Sequence, residues 1–371
     1  MRVKLKDITK FSKGTQINGK NLIDDGAYSY LNGGINPSGK WNEFNVAENT
    51  VTISEGGNSS GYVNYMNEAF WCGAHCYYLY DGPKNSKYLY YALKSQQERL
   101  FRIRSGACMP NIKKSDLGNF IIEYEEDETR QEEVVKVLEK CELLIEDYNK
   151  KLALLDEAVR ARFVEMFGDP VINSCQLPVQ PMTDICDIID GDRGKNYPKS
   201  EEILDDGYCL FLNAKNVTQK GFDFENCNFI TREKDDALRN GKLSRGDVVL
   251  TTRGTVGNLA YYSKNVPYEN IRINSGMVIL RMNRSILNEI YFIELFKMKL
   301  SDIKEKIASG SAQPQLPIST MNKIILMIPP LEFQNHFASF VKEVDKSRSR
   351  IQKSLEASQE LFDSLMQEYF G

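Results

Sequence analysis

The sequence lacks the motifs of common nucleotide-dependent enzymes and of membrane proteins. It contains no GxxxxGK[ST] segment, so there is no sign of a P-loop ATPase, and no GxGxxG that opens a helix after a strand. No run of about 18 apolar residues occurs, so no membrane span is expected. Residues 1–7 lack the apolar core of a signal peptide. We therefore expect a cytoplasmic protein without membrane contact.

Metal-binding and catalytic residues are also sparse. Only two histidines occur, and the eight cysteines form no CxxC pair, so no second cluster completes a tetrahedral zinc site around His75. A packed strand histidine is the favoured interpretation of His75, with a DNA contact as the alternative. The scattered cysteines fit buried free thiols better than a disulfide framework.

One acidic segment resembles part of a nuclease site. Asp190, Asp192 and Lys195 lie within six residues of each other. No further acidic partner is evident, so a loop is the favoured interpretation. The sequence thus predicts no catalytic residue, no metal site and no cofactor held by this chain.

What the sequence does contain is a long amphipathic helix. Residues 129–168 include no proline and no glycine before Gly168. Apolar residues follow each other at spacings of four and three, which is the heptad pattern of a coiled-coil seam. The seam positions are Val134, Leu138, Cys141, Ile145, Tyr148, Leu152, Leu155 and Val159. A stripe this narrow buries little by itself, so the helix needs a partner helix.

The last segment supplies that partner and shows an internal repeat. Its seam positions are Phe337, Val341, Val344, Arg348, Ile351, Leu355, Ser358, Phe362, Leu365 and Tyr369. The first eight lie 203 residues after the eight positions of the first helix, as Gln334 lies 203 residues after Gln131. Residues 105–110 similarly match 309–314. We interpret this register as a duplication, in which a globular part and a long helix occur twice.

These patterns predict an α+β protein of four segments. Residues 1–125 form a first mixed α/β domain, 126–168 a central helix, 169–330 a second mixed domain and 331–371 a C-terminal helix. The two helices are expected to pair as an antiparallel coiled coil, with a pseudo-twofold axis relating the two halves.

Charge separates the helices from the globular parts. The formal net charge is −4, but the excess of carboxylates lies mainly in the long helices. The globular parts are neutral to slightly basic, so they are the parts that could bind phosphate. Because neither globular part is strongly basic, a partner protein could supply much of the positive charge that neutralises the phosphates.

Polar loops are the candidate recognition surface. In residues 253–257 (RGTVG) the glycines allow close approach to a groove, and Arg253 can bind guanine O6 and N7 or a phosphate. For each candidate an ordinary polar turn is the alternative. The candidate DNA-binding residues are Asn213, Lys215, Asn216, Arg253, Gly254, Thr255, Gln313 and Gln315 in the second half, and Asn58, Ser59, Ser60 and Asn111 in the first.

Several segments together resemble the specificity (S) subunits of type I restriction-modification enzymes. They are residues 50–76, 163–170, 246–257, 309–316 and 328–334. The resemblance covers essentially the whole chain. One departure is that residues 123–127 lack the Pro-Pro-Leu entry of the second helix, which leaves the start of the central helix open by a few residues.

The resemblance implies a non-catalytic subunit that reads a bipartite site on double-stranded DNA. Each target-recognition domain would read one half, and the helix pair would set the spacer. Two methyltransferase (M) subunits would dock and methylate adenine with S-adenosylmethionine, and the family leaves open whether two restriction (R) subunits join. A coiled-coil adaptor or inhibitor without a DNA-reading role, which the acidic net charge favours, remains an alternative, as does an enzyme that uses Asp190, Asp192 and Lys195.

Overall fold

The computed structural model describes residues 1–106, 108–308 and 315–371, with no side chains described for 301–308. The chain divides into two compact units. Unit 1 comprises Met1–Lys151 with Ile351–Gly371, and unit 2 comprises Leu152–Arg350. Each of two 40-residue helices contributes one part to each unit. In the described part of the chain, no helix is long and apolar enough to cross a membrane.

Unit 1 combines short strands with mostly short helices. Its strands are β1 Arg2–Lys4, β2 Lys10–Lys13, β3 Tyr28–Leu31, β4 Gly39–Trp41, β5 Thr50–Ser54, β6 Val63–Met66, β7 Phe70–Cys72, β8 Cys76–Tyr80 and β9 Ile121–Glu123. Its helices are α1 Leu5–Ile8, α2 Ser86–Lys94, α3 Gln97–Arg102, α4 Lys114–Gly118 and the first part of α5 Glu128–Phe167. The sheets have the orders β2-β8-β5-β6, β4-β3-β7 and β1-β9, and only the described pair β3–β7 is parallel in this unit.

Unit 2 contains the corresponding elements. Its strands are β10 Val179–Pro181, β11 Cys186–Asp190, β12 Cys209–Leu212, β13 Val217–Thr218, β14 Gly221–Phe222, β15 Phe229–Ile230, β16 Val248–Thr251, β17 Leu259–Tyr261, β18 Ile271–Ile273, β19 Met277–Met282 and β20 Ile325–Met327. Its helices are α6 Met182–Ile185, α7 Arg232–Ala237, α8 Glu289–Ala308, α9 Ile318–Met321, the end of α5 and the first part of α10 Leu331–Phe370.

The sheet orders of unit 2 repeat those of unit 1. They are β11-β19-β16-β17, β15-β12-β18 and β10-β20, with the parallel pair β12–β18 in the position of β3–β7. Unit 2 adds the hairpin β13–β14. The two globular parts therefore share one topology, as the repeat in the sequence predicted, although their side chains differ.

The central sheet of unit 2 is buried on both faces. Val248 and Leu250 of β16 belong to one apolar cluster, and Val249 between them belongs to another. Successive side chains of a strand point to opposite faces. Burial on both sides therefore explains why β16 reads as a continuous apolar run and not as an alternating pattern.

The long helices join these cores at their ends. In unit 2, Phe163 of α5 packs edge-on against Phe337 of α10, with ring centroids 5.4 Å apart, and both are fully buried. In unit 1, Leu138 of α5 shares a cluster with Met366 and Phe370 of α10. Within each unit, an earlier part of one helix meets a later part of the other.

The predicted seam positions differ in burial along the helices. Those at the helix ends, Val134, Leu138, Cys141, Val159, Phe337, Val341 and Val344, are buried. Those in between, Ile145, Tyr148, Leu152, Leu155, Ile351, Leu355 and Phe362, are half-buried. Arg348 forms an ion pair with Asp156 at 2.5 Å within unit 2. The helices are thus most firmly packed where they meet a globular core.

Two glutamines matched by the repeat have matching positions in the structure. Gln131 is 2% exposed and donates from Nε2 to Glu125 O at 2.6 Å. Gln334 is fully buried and donates from Nε2 to Pro329 O at 2.7 Å. Each ties the first turn of its long helix to the segment before it.

The cysteines are only partly as expected. All eight are free, but Cys108 and Cys175 are exposed and Cys227 is half-buried. The expectation of buried thiols is therefore wrong for these three residues, which lie in loops outside the buried strands.

Candidate functional site

The candidate site of unit 2 is the tight loop between β16 and β17. Gly254 and Gly257 have φ values of +71° and +89°, a region that glycine adopts without strain. The Thr251 hydroxyl donates to Thr255 O and accepts from Asn258 N at 2.9 Å, which fixes the loop from inside. Arg253, Gly254 and Thr255 are exposed on this fixed turn.

Two further segments converge on this loop. Arg253 and Gln315 form an antiparallel bridge, and both side chains are exposed. The amides of Thr252 and Arg253 donate to Gly276 O at 2.9 and 3.2 Å. The structure thus brings Arg253 and Gln315 together, as a shared recognition surface requires. Gln313, which the sequence also predicted, lies outside the described residues.

The same backbone arrangement recurs in unit 1. Gly56 and Asn111 form the equivalent bridge. Ile112 N donates to Glu55 O at 2.9 Å, and Glu55 N donates to His75 O at 2.8 Å. The bond from Glu55 N corresponds to that from Thr252 N, and the bond from Ile112 N corresponds to that from Leu316 N to Thr252 O at 3.0 Å. Gly56 therefore occupies the position of Arg253, and Asn111 that of Gln315.

The other residues predicted in unit 1 differ in accessibility. Asn58 is exposed, whereas Ser59 is half-buried and donates to Gly33 O at 2.5 Å. Ser60 is fully buried and donates to Glu55 O at 2.8 Å. The prediction of Ser60 as a DNA contact is therefore wrong for this conformation, because its hydroxyl is used to shape the loop.

The residues predicted around Lys215 also differ: some stabilise a turn, and others are exposed. Asn216 is 1% exposed, and its Nδ2 donates to Asp223 O at 3.0 Å and Asn226 O at 2.9 Å. Asn213 is half-buried, and its Oδ1 accepts from Lys215 N at 2.9 Å. The side chain of Asn216 therefore stabilises the turn and is not available to DNA, while Lys215 is exposed.

Two side chains of unit 1 lie beside Glu55, and one of them, Lys13, was missed by the sequence analysis. Lys13 Nζ lies 2.8 Å from Glu55 Oε1, and His75 Nδ1 lies 3.4 Å from Glu55 Oε2. The His75 side chain is 61% exposed and precedes β8, so its interpretation as a packed strand histidine is wrong. The repeat could have identified this position, because His75 precedes β8 as Gly276 precedes β19.

The nuclease-like segment does not assemble into a catalytic cluster. Asp190 pairs with Arg193 at 3.1 Å. Asp192 is 5% exposed and accepts from the amides of Gly194 at 2.6 Å and Arg239 at 2.7 Å. The Gly194 N–H is the main cause that lowers the pKa of Asp192 below its ordinary value. Within the described ranges, no group of three or more histidine, cysteine, aspartate or glutamate residues could hold a metal ion.

Comparison with known proteins gives a consistent result. The sequence model of one family, described as the type I restriction modification DNA specificity domain, matches residues 1–156 and 179–359. A putative type I specificity subunit of Mycoplasma genitalium is 27% identical over 377 residues, which covers 96% of this chain and 90% of the relative. A second putative type I specificity subunit, from Mycoplasma pneumoniae, is 26% identical over 382 residues, which covers 99% of this chain and 94% of the relative.

One solved structure shares the fold. The crystal structure of the type I restriction-modification S subunit from M. genitalium aligns with a TM-score of 0.63 at 22% identity. The alignment covers 100% of this chain and 96% of that one.

Proposed function

Because the chain belongs to the family of type I restriction-modification DNA specificity domains, we propose that it reads a bipartite site on double-stranded DNA, with one half read by each unit. It is the DNA specificity subunit of such a system. The observation that supports the two-reader proposal is the recurring loop framework. The same hydrogen bonds hold Arg253 and Gln315 in one unit but Gly56 and Asn111 in the other. Equivalent loops with different side chains suit two different half-sites.

The direct test is Arg253→Ala in the full chain assembled with its partners. We expect a loss of about 1–3 kcal/mol in binding, confined to the half-site read by unit 2, because a bidentate arginine–guanine contact is removed. The site is first mapped by sequencing methylated adenines. Affinity is then measured on duplexes altered in one half-site at a time, at stated salt.

The control is Lys264→Ala, an exposed cation that follows the other end of β17. It should leave the affinity unchanged. An equal loss on every duplex would make Arg253 a phosphate contact instead, and an assembled complex that binds no DNA would favour the adaptor alternative over the proposed function.

The chain's own role is binding and not catalysis. Its nuclease-like carboxylates are occupied, Asp190 by Arg193 and Asp192 by backbone amides. Methyl transfer to adenine would then be performed by two M subunits that carry S-adenosylmethionine, with the target base flipped into their pockets. Association with R subunits would be a separate property of the complex. A subunit that reads DNA in this way would act in the cytoplasm.

The long helices would act as an antiparallel coiled coil that fixes the spacing of the two readers. Each helix has 40 residues, or roughly 60 Å at 1.5 Å per residue. The recurring sheet order and loop hydrogen bonds support the duplication on which the proposed pseudo-twofold relation depends. In this proposal residues 1–125 and 169–330 are the target-recognition domains, and 126–168 and 331–371 are the spacer.

Exposed apolar side chains on α5 mark a candidate docking surface for an M subunit. Val137, Leu143 and Leu144 are 38%, 64% and 47% exposed in unit 1, on a helix whose other exposed positions are mostly charged. Apolar side chains grouped on a polar surface are typical of protein interfaces.

We expect the double variant Leu143→Glu, Leu144→Glu to weaken M-subunit binding by roughly 2 kcal/mol, the loss typical of an interface hot spot. Binding is measured by titration calorimetry, and adenine methylation should fall in parallel. Ile172→Glu is the matched control, since Ile172 is 74% exposed but lies in the loop after α5. Equal binding by the two variants and the unchanged chain would remove this surface from the interface.

A further inference from the structure

A polar cavity in unit 2 lies between two segments, one of which contacts residues 274–276 next to the Arg253 loop. It has a volume of about 270 Å³ and is lined by Asp192, Gly194, Lys195, Asn196 and Arg239. The candidate DNA-binding residues include none of these five. The cavity is formed where the segment after β11 meets the segment after α7.

Asp192 holds these two segments together. Its Oδ1 accepts from Gly194 N and its Oδ2 from Arg239 N, at 2.6 and 2.7 Å. One carboxylate thereby accepts backbone donors from both segments. These bonds hold the two segments at a fixed separation and favour the charged form of Asp192.

Two cations line the cavity. A Cβ added at Gly194 would lie 2.8 Å from Arg239 Nη2 and 3.0 Å from Asp192 Oδ1, so the absence of a side chain at Gly194 lets the guanidinium lie close to the backbone. Lys195 is exposed, and its amine forms no hydrogen bond or ion pair with the residues that the structure describes. The charge of Arg239 offsets part of that of Asp192, whose pKa it helps to lower. A guanidinium has five N–H donors, so Arg239 and the amine of Lys195 can both donate to an incoming anion.

The turn at residues 274–276 contacts both the segment that lines the cavity and the Arg253 loop. Arg193, next to the cavity, donates from Nη2 to Ser275 O at 3.2 Å. The adjacent Gly276 O accepts from the amides of Thr252 and Arg253. A Cβ on Gly191 would lie 2.2 Å from Asn274 O, so the two backbones are in close contact here. Residues 274–276 therefore connect the segment that lines the cavity to the loop that carries Arg253.

We propose that this cavity binds a phosphate group of the DNA backbone, with Lys195 and Arg239 as the donors. The inference rests on the proposed function and adds a phosphate-binding site to the reader in unit 2. Arginine and lysine present only donors, which suits phosphate oxygens and not the mixed donor and acceptor pattern of a base edge. Phosphate contacts fix the register of a protein on the duplex, so this contact would position the Arg253 loop in the groove.

The test is Lys195→Ala and Arg239→Ala, each in the full chain assembled with its partners. The Arg239 amide that bonds to Asp192 is retained in the second variant. Affinity is measured between about 50 and 200 mM salt on the mapped site and on a duplex with both half-sites scrambled. Each variant should bind both duplexes more weakly by the same factor. The slope of log K against log salt should become shallower in each variant, and by about 0.9, the value for one phosphate contact, when the two changes are combined.

Lys264→Ala is the control and should change neither the affinity nor the slope. A Lys195→Ala or Arg239→Ala variant with an unchanged slope overturns the phosphate site, while normal DNA binding in the same experiment leaves the proposed function standing. A loss confined to the mapped duplex also overturns it, because the residue would then read bases. Thermal unfolding checks that the variants remain folded.

Discussion

Asp235→Ala is expected to destabilise unit 2 by about 3–5 kcal/mol, because it leaves a buried arginine without its counter-ion. Asp235 is fully buried, and its carboxylate accepts hydrogen bonds from Arg272 Nε and Lys242 Nζ. Arg272 is itself 5% exposed. Its guanidinium also donates to Asn240 O at 2.8 Å and to Leu238 O at 3.1 Å, so it cannot turn to solvent without breaking these bonds.

The measurement is urea unfolding of the full chain, and the matched control is the neighbouring Asp236→Ala. Asp236 is exposed, so its removal should change the free energy of unfolding by less than about 0.5 kcal/mol. A loss below about 1 kcal/mol for Asp235→Ala would show that the ion cluster is well hydrated and not a buried unit.

The same cluster sets a limit on acid stability. Burial alone would raise the pKa of Asp235, but the hydrogen bonds from Lys242 and Arg272 outweigh it and hold the pKa below its ordinary value of 3.8. A depressed folded-state pKa stabilises the fold fully above the ordinary pKa, and that contribution is lost as the pH falls through the folded-state value. The contribution of Asp235 should therefore be constant above about pH 5 and decline only in stronger acid.

A four-residue insertion near Glu146 in α5 is expected to abolish methylation of the original DNA site while both units remain folded. The insertion lengthens the helix by about 6 Å and rotates the residues beyond it by about 40° relative to those before it. Because α10 keeps its length, the apolar positions of the two long helices would no longer lie opposite each other on both sides of the insertion. The measurement is sequencing of methylated adenines from the variant complex, with circular dichroism to confirm the folded state.

A second variant carries another four-residue insertion near Glu356, in the part of α10 that belongs to unit 1. Lengthening both helices by the same number of residues brings their apolar positions opposite each other again. The same half-sites should then be methylated, but with a different number of base pairs between them. Methylation of the original site by the single-insertion variant would show that the helices do not determine the spacing.

The long helices and the repeat were predictable from the sequence because both depend on regular spacing. The apolar positions from Val134 to Val159 identify a helix whatever lies around it, and the structure has it as Glu128–Phe167. The matched glutamines Gln131 and Gln334 gave the correct register for both helix starts. Periodicity of this kind is a local property, so one sequence suffices to detect it.

The recognition loops were less predictable because their side chains have diverged between the halves. The sequence analysis selected Asn58, Ser59 and Ser60 in the first half, whereas the backbone hydrogen bonds match Gly56 to Arg253. Whether a polar residue faces solvent or caps a turn depends on contacts distant in sequence. Ser60 and Asn216 are both buried for this reason. The ion pair of Asp235 with Arg272 joins residues 37 apart and leaves no pattern in the sequence.

The composition of unit 1 from two separate segments has a consequence for protein synthesis. Its core includes Phe370, whose ring lies 5.2 Å from that of Tyr88, and Gln96 Nε2 donates to Phe370 O at 3.0 Å. Residues 1–151 leave the ribosome first but lack these contacts until residues 351–371 have been translated. Unit 2 is one continuous stretch, so it can complete its core earlier. The core of unit 1 can therefore be completed only after all of unit 2 has been synthesised, although most of unit 1 is translated first.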